Sequence, residues 1–317
     1  MIAYSIRRIL FAIPLILGIT VISFFIIQLA PGGPTSLLLD PSLAPEDLEK
    51  MKEKLGLDQP VYIQYFSWLT NMLHGDFGTS FIHRGIPVGE LILDRIPNTL
   101  ILMITSTIIA AIFAIPLGVI SASKPYSTLD YSVTFFSFLG VATPNFWLGL
   151  MLIMLFSVQL EWFPTGGVAS LHTPFSVWDR LHHLLLPAFV LASADMATLT
   201  RYTRSSMIEV LKQDYIRTAR AKGFRRWRVI VTHGLRNGLI PVVTLFGLLL
   251  PSFIAGSVIV EQVFSWPGIG KLFIDATFQR DYPVIMAITV ISSILVVLGN
   301  VIADILYAII DPRIEYS

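Results

Sequence analysis

The sequence predicts an all-α polytopic membrane protein with six transmembrane helices. Of 317 residues, 54% are hydrophobic and only 14% charged, where an ordinary soluble domain carries about 25% charge. Mean hydropathy is +0.72, and the apolar residues are gathered into runs able to cross ~30 Å of hydrocarbon as helix. The third observation is that Lys and Arg segregate to alternate connecting segments, as membrane topology requires. Zero cysteines exclude disulfides, Cys-ligated zinc and thiol chemistry.

The six apolar runs lie at about 9–30, 98–120, 131–160, 184–200, 239–260 and 283–310, the fourth being the shortest. The first follows Arg7 and Arg8 but is longer than the 7–15 residues of a cleavable signal core, so it reads as an uncleaved span. The N-terminus, the 121–130 loop, the 201–238 loop and the C-terminus together hold 14 Lys/Arg and 5 Asp/Glu; the opposite segments hold 8 and 14. Net charges of +9 and −6 place the first set, with both termini, in the cytoplasm. With no internal repeat or linker, residues 1–317 read as a single transmembrane domain.

The outer segment, about 31–97, is too long for a simple connector. Pro45, Glu46 and Asp47 start one short helix, with Leu48, Met51 and Leu55 as its apolar stripe and Gly56 at its end. A second begins near Pro60 and carries Val61, Tyr65, Trp68, Leu69 and Met72 on one face until Gly75-Asp76-Phe77-Gly78 breaks it. These helices either cap the bundle or offer a docking surface to an outer partner.

In the third run Pro144 cannot donate to the Gly140 carbonyl, so a kink is expected at Thr143-Pro144-Asn145. Asn145 in hydrocarbon needs a partner or a wet cavity, which makes Pro144 and Asn145 candidate pathway residues. Asp195 and Asp304 are the only acids well inside spans. Such groups mark function by default, yet an ion pair of Asp195 with Arg201, or hydration at the membrane edge, fits equally. Between the fifth and sixth runs, Trp266 reads as an interfacial anchor and Pro267-Gly268 as a turn, suggesting a re-entrant or surface-lying segment.

The most basic stretch runs from Arg201 to Gly238, with ten Lys/Arg against Glu209 and Asp214, a net of +8. On charge alone it is a solvated loop. A helix is nonetheless legible inside it, with Asp214 as N-cap, Lys222 in the last turn and Gly223 as the left-handed residue beyond it. That helix is about 8 residues, roughly 12 Å long. Small Ala219 and Ala221 would let another surface approach closely.

Chemistry of the chain's own is hard to find. Gly270-Lys271 is followed by Leu272 and lacks the upstream glycine of a phosphate-binding loop. No H-E-x-x-H or G-x-S-x-G occurs, and the six histidines form no ligand cluster, so neither a metal site nor an enzyme is expected.

Segment 217–223 resembles the EAA motif of permease subunits of ATP-binding-cassette (ABC) importers, a Glu-Ala-Ala, three residues, then Gly. Gly223 takes the glycine position and Ala219 the second alanine, while Arg217 and Thr218 replace the Glu and first Ala. Leu235 matches the later leucine, and Arg236 stands where many members have proline. The wording is similar to the B-type permeases of oligopeptide and dipeptide importers, closest to their App-type branch. Gly75-Asp76-Phe77-Gly78-Thr79-Ser80, Arg95-Ile96-Pro97-Asn98-Thr99, Pro144-Asn145-Phe146-Trp147, Phe163-Pro164-Thr165-Gly166-Gly167 and Trp266-Pro267-Gly268-Ile269-Gly270 extend the resemblance along essentially the whole chain.

The resemblance implies a type I ABC importer permease fold in a bacterial or archaeal cell membrane. It implies a heterodimer with a second, C-type permease, two cytoplasmic ATPases that bind ATP and Mg, and an outer substrate-binding protein; membrane lipid surrounds it and nucleic acid has no part. Contact with the ATPases would fall to Asp214, Tyr215, Arg217, Thr218, Ala219, Arg220, Ala221, Lys222, Gly223 and Phe224. Pro144, Asn145 and Asp195 are the pathway candidates. Peptide is the implied cargo, with nickel, glutathione or oligosaccharide as alternatives in the same family. An ion-coupled carrier using Asp195 or Asp304 is the alternative from another class.

Overall fold

The computed structural model describes residues 2–29, 58–83, 85–170, 174–240, 242 and 258–310, with side chains described from Leu10 to Val301. The described residues are helical apart from loops and one isolated antiparallel bridge, Thr79 to Pro87. The expected helix at 45–56, most of the fifth run and the C-terminal tail lie outside them.

Helix α1 (Ile2–Leu29) is followed by helix α2 (Val61–Leu73). The stripe anticipated on α2 docks it onto α1: the Tyr65 ring lies 5.4 Å from Phe24, Trp68 lies 6.0 Å from Phe24, and the hydroxyls of Thr20 and Tyr65 are hydrogen-bonded at 2.9 Å. After Gly75 and Gly78, both left-handed, the chain crosses to the start of the last helix. There the buried Asp281 carboxylate accepts from the Ser80 hydroxyl and, at 3.2 and 3.4 Å, from the Phe81 and Ile82 amides.

Helix α3 (Val88–Ser123) begins ten residues before its apolar run and passes through Pro97 and Pro116 without ending. Helix α6 (Val177–Val210) runs alongside it. Where they cross, small residues face each other: buried Ala110, Ala114 and Gly118 on α3 lie four apart, one above the other, against Ala192, Leu199, Thr200 and Thr203. A Cβ on Gly118 would stand 2.6 Å from Thr203 Cβ and 2.9 Å from the Thr200 carbonyl oxygen. Close backbone approach over small residues is how membrane helices gain packing where lipid offers no hydrophobic contrast.

The third run is broken, not merely kinked. Helix α4 (Thr128–Ala142) ends before Pro144, and α5 (Asn145–Leu152), extended by π-helical turns at Ile153–Gln159, leaves at 103° to it. Pro144 occupies the N-cap, where a missing N–H costs nothing. Beyond α6 come α7 (Asp214–Ala221), α8 (Arg226–Arg228), π-helical turns at Val229–Gly234 and α9 (Leu235–Gly238). Then follow α10 (Val258–Val263), α11 (Ile269–Gln279) and α12 (Tyr282–Ile310), whose backbone carries Asp304. Among the described residues four helices are long and apolar enough to cross a membrane, five if the bent pair counts as one span.

Candidate functional site

Helix α7 is the element that the basic loop was expected to contain, with the expected length of 8 residues. Its start differs. Gln213, in extended conformation, is the N-cap; Asp214 is the first helical residue and directs its carboxylate to Arg217 Nη1 at 3.2 Å instead of capping. Its glycine end is as expected, Gly223 standing at φ +80, although Lys222 is the C-cap and Arg220 is the basic residue of the last turn.

The ten candidate contact residues fall on two sides. Asp214, Tyr215, Arg217, Thr218, Arg220, Ala221, Lys222, Gly223 and Phe224 are exposed, but Ala219 is buried together with Ile216. Those two pack on Val229 and Leu211, so Ala219 serves close approach within the chain rather than to an outside surface. Tyr215 is tied to its own chain by Asn237 Nδ2, which donates to its hydroxyl at 2.9 Å. Arg228 lies over the Phe224 ring at 5.4 Å.

The loop is anchored to the bundle by a buried carboxylate. Asp130, near the start of α4, accepts from Arg204 Nε at 2.6 Å and Nη2 at 2.7 Å, from the Tyr126 amide at 2.8 Å, and from the Ser121 hydroxyl. This two-pronged pair joins the end of α6 to the α3–α4 turn.

Pro144 is exposed and Asn145 half-buried at the sharp bend. Asp195 is half-buried on α6, and Arg201 lies over the Phe138 ring at 5.6 Å instead of pairing with it. The two adjacent histidines diverge: His182 stacks near Phe163 at 4.9 Å, and His183 Nδ1 meets the Asp179 carbonyl oxygen at 2.9 Å. Among the described residues no three His, Cys, Asp or Glu side chains could hold a metal ion.

Two of the sequence motifs, Arg95–Thr99 and Trp266–Gly270, converge on one residue that sequence reasoning missed, Glu261. Its side chain is fully buried just beyond the fifth run. Oε1 accepts from the Thr99 hydroxyl at 2.9 Å and Oε2 from the Lys271 amide at 3.0 Å. Thr99 Oγ1 in turn accepts from the Ile269 amide at 2.9 Å. A Cβ on Gly268 would fall 2.4 Å from the carboxylate, which is why the turn needs glycine there. Burial pushes the Glu261 carboxyl above its ordinary range, opposed by the Lys271, Thr99 and Gly270 donors.

Trp266, expected at the membrane surface, is inside this knot: it is 2% exposed, and its Nε1 donates to the Asn98 carbonyl at 3.0 Å. Asn98 Nδ2 donates back to the Pro267 carbonyl at 2.9 Å. The Gly166-Gly167 turn closes the other side, Gly167 N donating to the Phe264 carbonyl at 2.8 Å. Asn98, Thr99, Glu261 and Trp266 thus lock α3 to the α10–α11 turn, and Phe264 ties in the Gly166-Gly167 turn.

Residues 114–316 match the family model of the binding-protein-dependent transport system inner membrane component, and residues 1–105 match the N-terminal model of the same transport systems. The chain belongs to this family of ABC importer permeases. It is 64% identical over 316 residues, covering all of both chains, to the oligopeptide transport system permease protein AppB of Bacillus subtilis. It is 40% identical, again over all of both chains, to the glutathione transport system permease protein GsiC of Salmonella typhimurium. A solved structure of the MetNI methionine ABC transporter, inward facing, superposes with a TM-score of 0.56 at 16% identity, over 70% of this chain and 96% of the other. That likeness establishes the type I permease fold. The chain is therefore a multi-pass transporter subunit rather than an enzyme, from a family that works with another permease and with ATPases.

Proposed function

We propose that this permease forms half of the pathway of a peptide-importing ABC transporter in the bacterial inner membrane. Six spans leave both termini cytoplasmic. Its partners are a C-type permease, two ATPases that hold the ATP and Mg, and an outer substrate-binding protein. The observation that carries the peptide assignment is full-length identity of 64% to an oligopeptide permease. Uptake decides it: in cells lacking their own peptide importers, this chain and its co-encoded subunits should accumulate labelled oligopeptides. Import of nickel, oligosaccharide or glutathione but not of longer peptides would overturn the assignment.

Helix α7 is the element that the ATPases grip. In support, Arg217, Thr218, Arg220, Ala221 and Lys222 present an exposed face, while Ile216 and Ala219 seat the opposite face on the chain itself. Nucleotide-driven closure of the ATPases then moves α7 as a rigid lever on α6, and the pore switches between discrete packings. A chain with no cysteine makes the test direct. Cysteine placed at Ala221 should cross-link to a cysteine-bearing ATPase, and Gly223→Val should abolish uptake while leaving expression intact. Wild-type uptake by Gly223→Val would count against the lever.

A further inference from the structure

A groove at the end of α3 and the start of α4, closed on its other side by α8, encloses a cavity of about 360 Å³. Its apolar floor is Ile120, Leu129 and Ile230; its rim is Lys124, Arg226 and Trp227. Arg226 Nη2 donates to the Ser123 carbonyl, which holds the guanidinium across the mouth. The acid beside this groove, Asp130, has both oxygens taken by Arg204. Among the described residues Lys124 and Arg226 therefore enter no ion pair, and the groove keeps two uncompensated cations above an apolar floor.

We propose that this groove binds an anionic phospholipid of the cytoplasmic leaflet, its phosphate on Arg226 and Lys124 and its acyl chain along Ile120 and Leu129. The chemistry fits each part. A guanidinium fork matches phosphate oxygens in pairs, and a lysine adds a point charge. Trp227, 61% exposed, is the residue type that settles at headgroup depth. Ile120 and Leu129 lie on membrane helices α3 and α4, are 41% and 48% exposed, and continue the groove toward the acyl region. An ATPase surface is the competing occupant, but no residue of α7 lines the groove and its floor is aliphatic. The leaflet rests on the orientation proposed above.

The test uses the full chain with its co-encoded subunits in lipid nanodiscs containing photo-crosslinkable phosphatidylglycerol. Labelling should map to residues near 120–130 and 226–230, and unlabelled phosphatidylglycerol should compete. The pair Lys124→Gln with Arg226→Gln should weaken labelling roughly thirtyfold, each basic residue near an anionic surface contributing about a fivefold share. Lys124→Gln alone, at an exposed side chain, should weaken it about fivefold and keeps the test open if the double variant misfolds. Equal labelling of variant and wild type would overturn the proposal. So would equal competition by phosphatidylcholine or by inorganic phosphate, or labelling seen only when the ATPases are stripped away. Orientation is read separately: a cysteine at Tyr126 should react with an impermeant maleimide in inverted vesicles and not in intact cells, so a wrong leaflet and a missing site give different results.

Discussion

Replacing Gly268 with alanine tests whether the knot between α3 and the α10–α11 turn is held by the Glu261 carboxyl group. The backbone at Gly268 has φ −102, which alanine adopts freely, so the whole effect is steric. The added Cβ would lie 2.4 Å from Cδ and Oε2 and 2.5 Å from Oε1. Relief to ordinary contact needs a retreat of about 1 Å. The carboxyl group cannot retreat without disturbing its bonds to Thr99 and the Lys271 amide, at 2.9 and 3.0 Å. Leaving the Thr99 hydroxyl and the Lys271 amide without their acceptor costs about 1–3 kcal/mol each, a destabilisation of about 2–6 kcal/mol.

Thermal melting of the detergent-solubilised chain reads the loss, with Gly223→Ala as the reference. That glycine is left-handed with nothing within 4 Å of its Cβ, so alanine there should cost only about 1–2 kcal/mol. Removing the carboxylate in the same molecule, as Gly268→Ala with Glu261→Ala, should leave the pair less damaged than the sum of the two single changes. A Gly268→Ala protein as stable as wild type, or strict additivity in the cycle, would refute the reasoning.

Two further outcomes follow from buried Asp130 and from pH. Asp130→Asn keeps the size of the side chain but strands Arg204, and should cost about 3 kcal/mol, the lower end for a broken buried pair because Arg204 keeps 28% exposure. Arg204→Lys retains charge without the fork and should cost less; both are read by melting, and a neutral Asp130→Asn would sink the clamp. For Glu261, burial raises the carboxyl above its ordinary 4.5, so the fold favours the protonated form. Its stabilising contribution is complete below about 4.5 and is lost as pH rises through the raised value. Wild type should therefore lose melting temperature towards neutral pH relative to Glu261→Gln, which cannot ionise; parallel curves would refute it.

Hydropathy made the outer frame of the molecule legible, and its failures have physical causes. The fourth run looked weakest, yet α6 is 34 residues long. Its best window has a mean hydropathy of only 1.4, against 2.5 for α3, because much of its surface meets protein instead of lipid. Small and hydroxyl residues such as Ala192, Ser193, Thr200 and Thr203 suit that seam and lower the score. The stripe on α2 was readable because its partners follow helical period. Glu261 was not, since Thr99 is 162 residues away and no periodicity links them. The one available signal was two glycines, Gly268 and Gly270, seven and nine residues after an acid at the end of an apolar run. At α7 the glycine end was correctly read because a left-handed residue is a backbone demand. The Asp214 cap failed by one position, since Asp accepts amides at the N-cap but also suits the first turn, where Arg217 took its carboxylate.

The buried side of α7 bears on the proposed lever as much as its exposed side. A helix of 8 residues has little stability alone, so it can transmit force only through what it is packed on. Ile216 and Ala219 fix it to Val229 and Leu211. Leu211 follows α6 directly, and four residues earlier Met207 is fully buried against the chain after α8. A Cβ on Gly238 would fall 2.3 Å from Met207 Sδ, and one on Gly234 3.2 Å from Met207 Cε. Two glycines four apart thus form the slot that receives Met207, and a side chain at either would have to displace the Met207 thioether. Close-packed interiors of this kind do not stretch. A displacement of α7 must move the end of α6 and the entry to the fifth run together, and Arg204 on Asp130 carries the same displacement to the α3–α4 turn. Altering Arg217 or Ala221 should then disturb only the grip of a partner, whereas altering Met207 or Gly238 should leave the grip intact and disconnect it from the pore.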